Sequence, residues 1–401
     1  MRIAIVADAY PPMQSSAAVM LQDIAIEFRA QGHEPVVIIP APDIRDSVVR
    51  SIIRDIEVLR VPCPPIKDIN YFQRTLCELY MPFAMKRRLN KSGFLSTKLD
   101  GIVWYSPSIF HGPLIRALKK SHHCKSYLVL RDIFPEWAAD LGIMRRGLPY
   151  RFFKVIERFQ YSVADTIGVQ TPANLQYFHR NQPIAPCQVE VLHNWLSVSV
   201  SVSESKECTI SLSDCSLAGR KLFVYAGNMG KAQDIAPFFE VIATLDQSRD
   251  DVGFVFVGRG SEVESLSAEI IDRNLSNVLI FDEIQHSEIP GLYAQCDFGM
   301  VFLDSRHKTH NIPGKFISYM HYGLPVLACI NEGNDLFDII NSESLGRAFF
   351  GVDAERVVSA VLEMVDDPNY VTEIPDNCRI LAKDMYSSTI AVKQITASLA
   401  E

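Results

Sequence analysis

Short, predominantly apolar runs alternate with helical segments along this chain, and the alternation starts twice. Arg2–Ala7 is one such run; a helical pattern over Ala17–Gln31 and a second run at Pro35–Pro40 follow it. Strands that are apolar on both faces are typical of parallel sheets covered by helices. A Ser- and Val-rich stretch at 197–216 interrupts the pattern, which resumes at Leu222–Ala226. The sequence therefore predicts an α/β protein with two doubly wound domains.

The domain boundaries follow from this interruption. A chain of 401 residues is too long for one ordinary α/β core. We expect an N-terminal Rossmann-like domain over 1–197 and a C-terminal one over 198–386. A helix over 387–401 is predicted at the end, and we consider that it packs back on the N-terminal domain. Ligands of such sheets bind at the carboxyl ends of the strands.

The composition excludes several classes of protein. An apolar content of 48% with 21% charged residues is typical of a globular chain rather than a disordered one. No run of eighteen apolar residues occurs, so we expect no transmembrane helix, and the N-terminus lacks the shape of a signal peptide. Nine scattered cysteines without a Cys-x-x-Cys pair indicate reduced thiols and a cytoplasmic location.

The net charge of −8 is unevenly divided. Residues 1–197 carry 24 Lys/Arg against 17 Asp/Glu, whereas the remainder carries 15 against 30. A basic half suggests an anionic partner, such as a membrane surface or a diphosphate-bearing lipid. The positive charge is concentrated in Met85–Lys91 and Met144–Lys154. These segments are either solvated helix faces or membrane contacts, and the sequence favours neither interpretation. Nucleic acid is disfavoured because the whole chain is acidic.

The clearest candidate binding site lies in Asn311–Ala328. Asn311 is a good helix N-cap, Pro313 suits a first helical turn, and Lys315 follows within that turn. Pro325–Ile330 then forms an apolar strand. Backbone N–H groups, the positive end of the helix dipole and a lysine together suit a phosphate or diphosphate. An ordinary strand-to-helix turn with a surface lysine is the alternative.

A second loop has the same character. In the stretch that follows Leu222–Ala226, Gly227 and Gly230 allow the backbone to approach a ligand, and Lys231 adds charge. We expect Lys231 and Lys315 to converge on one sheet edge, where they would hold the diphosphate of a nucleotide. Gly258 and Gly260 resemble the start of a dinucleotide fingerprint but lack its third glycine.

The N-terminal half offers candidate acids and a histidine after its strands. Asp132 and Glu136 follow a buried strand and could hold a sugar hydroxyl, act as a base or cap a helix. His111 could contact substrate or be a structural histidine. No metal or other cofactor is expected, because lysines would neutralise the diphosphate and no Asp-x-Asp motif occurs.

Together these motifs resemble the retaining GT-B glycosyltransferases of family 4. The stretch from Gly227 to Gln233 looks like that family's Gly-Asn-x-Gly-x-Ala-Gln loop, and Pro313–Lys315 is similar to its Pro-Ser-Lys. Arg131–Glu136 is similar to its Arg-Asp-hydrophobic-hydrophobic-Pro-Glu segment. With Tyr105–Phe110 and His310–Lys315, the likeness narrows to bacterial N-acetyl-L-fucosamine transferases of O-antigen and capsule assembly.

The resemblance implies a metal-independent, retaining hexosyltransferase. It would transfer an N-acetylated 6-deoxy sugar from a UDP-sugar to an oligosaccharide on undecaprenyl diphosphate, peripherally at the cytoplasmic face of the inner membrane. UDP-sugar is then the donor substrate rather than a cofactor. His310 and Ser318 stand where the family often has two glutamates, the second of which usually holds the ribose.

The expected site residues fall into two groups. The candidate catalytic residues are Lys231, Lys315, Asp132, Glu136 and His111. The candidate donor-binding residues are Gly227, Asn228, Gly230, Gln233, Gly258, Gly260, His310, Asn311, Gly314, Ser318, Ser15 and Ser16. Three alternatives stay open: a UDP-sugar 2-epimerase of the same fold, a nicotinamide-dependent oxidoreductase and a non-catalytic sugar-nucleotide-binding module.

Overall fold

The structure is a computed structural model that describes residues 1–13, 15–66, 69–140, 142–181, 187–197, 207–306 and 311–401. The chain divides into two compact units. Unit 1 contains Met1–Ser197 together with Ser387–Glu401, and unit 2 contains Val198–Tyr386. Each unit has one sheet of mainly parallel strands covered by helices, so the predicted α/β class with two Rossmann-like domains is confirmed.

Unit 1 is built on an eight-stranded sheet in the order β3-β4-β2-β1-β5-β6-β7-β8. Its strands are β1 (Arg2–Val6), β2 (Glu34–Ala41), β3 (Val49–Ile53), β4 (Ile56–Pro62), β5 (Gly101–Tyr105), β6 (Lys125–Val129), β7 (Thr166–Val169) and β8 (Gln188–Val191). Only β3 is antiparallel to its neighbour. The carboxyl ends of the seven parallel strands therefore lie along one edge, which is where ligands of such sheets bind.

Helices cover both faces of this sheet. They are α1 (Ser16–Ala30), α2 (Tyr71–Lys91), α3 (Gly112–His122), α4 (Glu136–Asp140), α5 (Leu148–Val163) and α6 (Pro172–Asn181). Side chains of α2, α3 and α5 share one apolar core with β1, β2 and β5, whereas α1 shares the core on the other face. α3 packs between α2 and α5, so these three helices form one layer.

Unit 2 is built on a fully parallel six-stranded sheet in the order β11-β10-β9-β12-β13-β14. Its strands are β9 (Lys221–Ala226), β10 (Val252–Val257), β11 (Val278–Phe281), β12 (Phe298–Phe302), β13 (Val326–Ile330) and β14 (Gly346–Phe350). Its helices are α7 (Phe239–Ser248), α8 (Val263–Asp272), α9 (Ile289–Tyr293), α10 (Gly314–Tyr322), α11 (Asp335–Ser342), α12 (Ala354–Asp366), α13 (Asn369–Thr372) and α14 (Ile374–Met385).

The final helix, α15 (Ser388–Ala400), belongs to unit 1 although unit 2 precedes it in sequence. Ser388 N–H donates to Leu196 O, and the hydroxyls of Thr166 and Ser398 are 2.6 Å apart. Ala391, Val392 and Ile395 are buried in the core that α1 also lines. The last segment of the chain thus completes the core of unit 1.

Several sequence expectations need correction. α10 begins at Gly314, one residue after Pro313, because Pro313 has an extended ψ of 139° and occupies the N-cap position that the sequence predicted for Asn311. The helix expected from about Ile235 opens with a 3₁₀ turn over Ala236–Phe238, in which Pro237 lies. The hairpin of β3 and β4 had no prediction at all. No helix in the described part of the chain is both long enough and apolar enough to cross a bilayer.

Candidate active site

The N-terminus of α10 lies at the carboxyl edge of the unit 2 sheet, because the helix connects β12 to β13. Pro313 precedes it and supplies no capping side chain. The first N–H groups of a helix have no intrahelical partner, and the helix dipole favours negative charge beside them. At the other end, Gly323 adopts the left-handed conformation that stops the helix, as the sequence predicted.

Lys315 lies in the first turn of α10 and turns toward the end of β9. Its Nζ is 3.6 Å from the centre of the Tyr225 ring, and a Cβ placed on Gly227 would be 3.4 Å from the same ammonium. Lys315 forms no ion pair within the described residues. Burial lowers the pKa of Lys315 to about 7, because no carboxylate compensates for the water that the ammonium loses. An aromatic face and an added anion would both favour its charged form.

The loop after β9 is held by its own polar side chains. Gln233 Oε1 accepts hydrogen bonds from Asn228 Nδ2 at 2.9 Å and from Gly230 N–H at 3.1 Å. Tyr225 O–H donates to Asn228 O at 2.6 Å. Asn228 and Gln233 therefore shape the loop that we expected them to line, and Lys231 projects from the same loop as an exposed side chain.

Gly258 and Gly260 bring a second loop against this one. Both have positive φ, of 147° and 156°, and a Cβ on them would lie 2.0 Å from Gly227 O and 2.1 Å from Met229 O. Met229 N–H donates to Arg259 O at 2.8 Å. The two glycines thus allow direct backbone packing between the loops, which explains a Gly-x-Gly pair without a dinucleotide.

The remaining donor-site candidates of unit 2 divide as follows. Ser318 Oγ donates to Gly314 O, one turn earlier in α10, so its hydroxyl is engaged with its own helix. Asn311 leads into the helix, and His310 lies outside the described residues. Gly314 and Lys315 begin α10, and they lie with Gly227 at the carboxyl edge of the unit 2 sheet. For Lys231, the structure shows only that its side chain is exposed in the loop after β9.

In unit 1, Asp132 follows the carboxyl end of β6. The Ser106 hydroxyl accepts from the backbone N–H of Arg131 and of Asp132, at 2.7 and 3.3 Å. The carboxylate of Asp132 accepts no hydrogen bond from any described residue. Burial raises its pKa, and the neighbouring Arg131 opposes that rise. A half-buried carboxylate with free oxygens can accept a proton or a hydroxyl hydrogen bond.

Glu136, the other candidate acid, is fully engaged. Its carboxylate accepts from Lys154 Nζ and from Tyr150 O–H at 2.7 Å. Lys154 also pairs with Glu157 at 2.7 Å, and all three charged side chains are buried. A buried ion cluster of this kind ties α4 to α5. The two candidate acids therefore differ in their contacts, and those of Glu136 are typical of a structural residue.

His111 lies at the carboxyl edge as the N-cap residue of α3 and is completely buried. Its Nε2 is 2.8 Å from Asp8 Oδ1. Asp8 was missed in the sequence although it stands two residues after β1, which is the position that the strand-end rule selects. The pair places a second carboxylate on the same edge as Asp132, with His111 orienting it.

Ser15 and Ser16, the candidates from the first loop, begin α1. Ser15 Oγ accepts from Ala18 N–H at 3.2 Å and caps the helix, and Ser16 is the first helical residue. Both side chains are exposed. A capping role accounts for Ser15, and donor contact stays a prediction for both residues.

Comparison with known proteins identifies a related family and a shared fold. Residues 220–367 match the family model described as "Glycosyl transferases group 1". A probable glycosyltransferase, WbjE of Pseudomonas aeruginosa, is 22% identical over 223 residues. The chain spans 55% of the length of that relative, and 55% of this chain is covered.

Two solved structures resemble almost the whole chain. HepE of Anabaena, in complex with UDP and glucose, superposes with a TM-score of 0.69 at 15% identity, over 100% of this chain and 99% of that one. WaaG, a glycosyltransferase involved in lipopolysaccharide biosynthesis, gives a TM-score of 0.66 at 15% identity, over 98% and 99%. The chain thus has the two-domain fold of the GT-B glycosyltransferases, and its residues 220–367 match the group 1 family of these enzymes.

Proposed function

We propose that this protein is a retaining, metal-independent glycosyltransferase that uses a UDP-sugar donor in bacterial surface-polysaccharide synthesis. Lys315 carries the proposal: it is an ammonium without an anionic partner among the described residues, held at a helix N-terminus beside a glycine loop. These groups together suit a diphosphate. The match of residues 220–367 to the group 1 glycosyltransferases supports a nucleotide-sugar donor. The structure of HepE, which has the same fold and is a complex with UDP and glucose, supports it too.

The donor and acceptor are proposed from the sequence resemblance. The donor would carry an N-acetylated 6-deoxy sugar such as N-acetyl-L-fucosamine, and the acceptor would be an oligosaccharide on undecaprenyl diphosphate. The relation to WbjE and the likeness to WaaG support a role in polysaccharide or lipopolysaccharide synthesis. The reaction would then take place at the cytoplasmic face of the inner membrane.

The chemical step follows from the groups available. An acceptor hydroxyl attacks the anomeric carbon, the bond from that carbon to the UDP oxygen breaks, and the hydroxyl proton leaves with a phosphate oxygen or a carboxylate. Charge grows on the departing diphosphate, where Lys315, Lys231 and the α10 N-terminus would stabilise it. Asp132 and the Asp8–His111 pair would bind acceptor or sugar hydroxyls.

The experiment that tests the proposal is a thermal-shift panel of UDP-, dTDP- and GDP-sugars, followed by a transfer assay with the best ligand. A bound donor raises the melting temperature by mass action. UDP-sugars should give the largest shift, and transfer should release UDP. Interconversion of the sugar without UDP release would instead indicate the 2-epimerase, and a shift with NAD(P) alone would indicate the oxidoreductase.

The affinity for UDP should fall as the pH rises above about 7. In the free protein the pKa of Lys315 is about 7, and a diphosphate beside it raises that pKa, so binding takes up a proton. The last ionisation of the UDP phosphates occurs near pH 6, so the charge of UDP is constant above about pH 7. We expect a loss of up to about tenfold in affinity per pH unit between about 7 and 9. Calorimetry in buffers of different ionisation enthalpy measures both the affinity and the proton uptake.

The matched control for this pH dependence is Lys315→Met. The variant lacks the titrating group and should bind UDP weakly with a flat pH profile. An equally steep profile in the variant would assign the proton uptake to another residue.

The two acids after β6 should respond differently to amide substitution. Asp132→Asn is expected to lower kcat by about two orders of magnitude, the size typical of general acid–base residues, and to leave the fold intact. Glu136→Gln removes one of the two carboxylates around buried Lys154 and should lower the free energy of unfolding by about 1–3 kcal/mol. Steady-state kinetics and urea unfolding of both variants separate the roles. Equal kcat in Asp132→Asn and wild type would remove Asp132 from the reaction.

A further inference from the structure

Helix α2 is apolar on two opposite faces. Met81, Met85 and Leu89 bury one face in the core of unit 1. The other face carries Phe72, Leu76, Tyr80 and Phe83, each more than half exposed, at spacings of four, four and three residues. With 3.6 residues per turn these spacings form one continuous stripe. A surface helix of a globular protein buries only one apolar face, so an exposed apolar stripe on its outer face indicates an interaction site.

A second exposed apolar surface lies in the same helical layer. Ile143, Leu148, Phe152 and Val155 are exposed in and just before α5. Both α2 and α5 pack against α3, so their outer faces belong to one side of unit 1. Both helices also begin at the carboxyl edge of the sheet, because α2 lies in the connection from β4 to β5 and α5 follows the short α4 in the connection from β6 to β7. The apolar residues of each helix are concentrated in its N-terminal part, near that edge.

Basic side chains accompany both surfaces. Lys86, Arg87 and Lys91 are exposed along α2, Arg145 is exposed just before α5, and Arg151 and Arg158 are exposed along α5. None of these six forms an ion pair with another described residue. Aromatic rings among unpaired cations are the combination that binds the interface of an anionic bilayer. A second copy of the chain would present the same positive charge and repel it.

We propose that the outer faces of α2 and α5 form a membrane-docking surface that seats unit 1 on an anionic lipid bilayer. This inference builds on the proposed function and adds the orientation of the acceptor. A lipid-linked sugar extends out of the bilayer, and the docked edge is the one that carries Asp8, His111 and Asp132. The sugar of a membrane-anchored acceptor would therefore meet these side chains without leaving the lipid surface.

The test is flotation of the full-length protein with vesicles of phosphatidylethanolamine and phosphatidylglycerol, compared with phosphatidylcholine alone. We expect binding to the anionic vesicles only, and weaker binding at high salt. The double variant Phe72→Ser/Phe83→Ser should lose at least about tenfold in vesicle affinity. Lys86→Gln/Arg87→Gln should lose affinity most strongly at low salt. The matched control is Ile52→Ser/Ile271→Ser, because both side chains are 77% exposed but lie outside this surface.

The readouts keep this proposal separate from the enzymatic one. UDP binding, measured without vesicles, should be unchanged in the Phe72→Ser/Phe83→Ser variant, and its melting temperature should not fall. Unchanged vesicle binding in that variant would overturn the docking surface while leaving the glycosyltransferase proposal in place. If size-exclusion chromatography shows a wild-type dimer that the variant loses, a second copy covers the stripe and the membrane assignment is wrong.

Discussion

Lys315→Met is expected to lower kcat by two to three orders of magnitude without destabilising unit 2. Removing one preorganised donor to a developing negative charge typically costs about 3–4 kcal/mol of barrier. Lys315 is proposed to act on the leaving diphosphate beside Gly227, where a Cβ would lie 3.4 Å from its ammonium, with the α10 N-terminus as the second source of positive potential. Single-turnover kinetics with saturating donor measures this loss apart from any change in binding.

The free energy of unfolding of Lys315→Met, unlike its kcat, should not fall below that of the wild type. The folded-state pKa of Lys315, about 7, lies below the value of about 10.5 in the unfolded chain, so folding disfavours the charged lysine. That penalty grows as the pH falls from about 10.5 to 7 and is absent in the methionine variant. Urea unfolding at pH 7 should therefore show a variant at least as stable as the wild type.

A lysine on the surface of the same unit provides the control. Lys383→Met replaces an exposed side chain of α14 and should change neither kcat nor stability. If Lys315→Met retains full turnover, the proposed diphosphate site is wrong. If it unfolds the protein, Lys315 has a structural contact that its lowered pKa does not reflect.

Gly258→Ala should damage the donor site through the backbone rather than through a side chain. A φ of 147° is accessible almost only to glycine, and the new Cβ would lie 2.0 Å from Gly227 O. The loop after β10 would have to move away from the loop after β9, breaking the Met229–Arg259 hydrogen bond. We expect a loss of about 3 kcal/mol or more in the free energy of unfolding, or complete loss of UDP binding in protein that still folds.

Gly314→Ala is the matched control for stability, because a Cβ at that first helical position would have no atom within 4 Å beyond its neighbours and its own helix backbone. It should fold normally, since alanine favours the helix more than glycine does. It is no control for UDP affinity, because Gly314 is itself a candidate donor-binding residue. Differential scanning calorimetry compares the two variants, and UDP titration compares Gly258→Ala with the wild type. Gly258→Ala with native stability and affinity would show that the two loops can separate without cost.

Much of the fold could be predicted because burial leaves a local periodic signal. A run such as Val326–Ile330, which is buried at every residue, indicates a central parallel strand by its unbroken apolar character alone. Parallel strands end along one edge, so Lys315 and the loop of Gly227 could be expected together. The helix boundary at Asn311 and Pro313 was missed by a residue or two because capping depends on a backbone angle.

Pairing between distant segments left no such signal. Asp8 and His111 are 103 residues apart, and nothing in either stretch names the other. Glu136 and Asp132 looked equivalent until the packing of α5 placed Lys154 against only one of them. The outward stripe of α2 was also hidden, because a helix that is apolar on two faces gives no single periodic pattern.

The sequence by itself determined the class of fold, most of the order of strands and helices, and the two lysine-bearing turns after strands. These depend on local periodicity and on backbone geometry that a few neighbouring residues set. Only the tertiary structure decided which carboxylate has no hydrogen-bond partner among the described residues and which lysine has lost its water. Those properties depend on the solvent and charge around a side chain, and residues far away in sequence supply both.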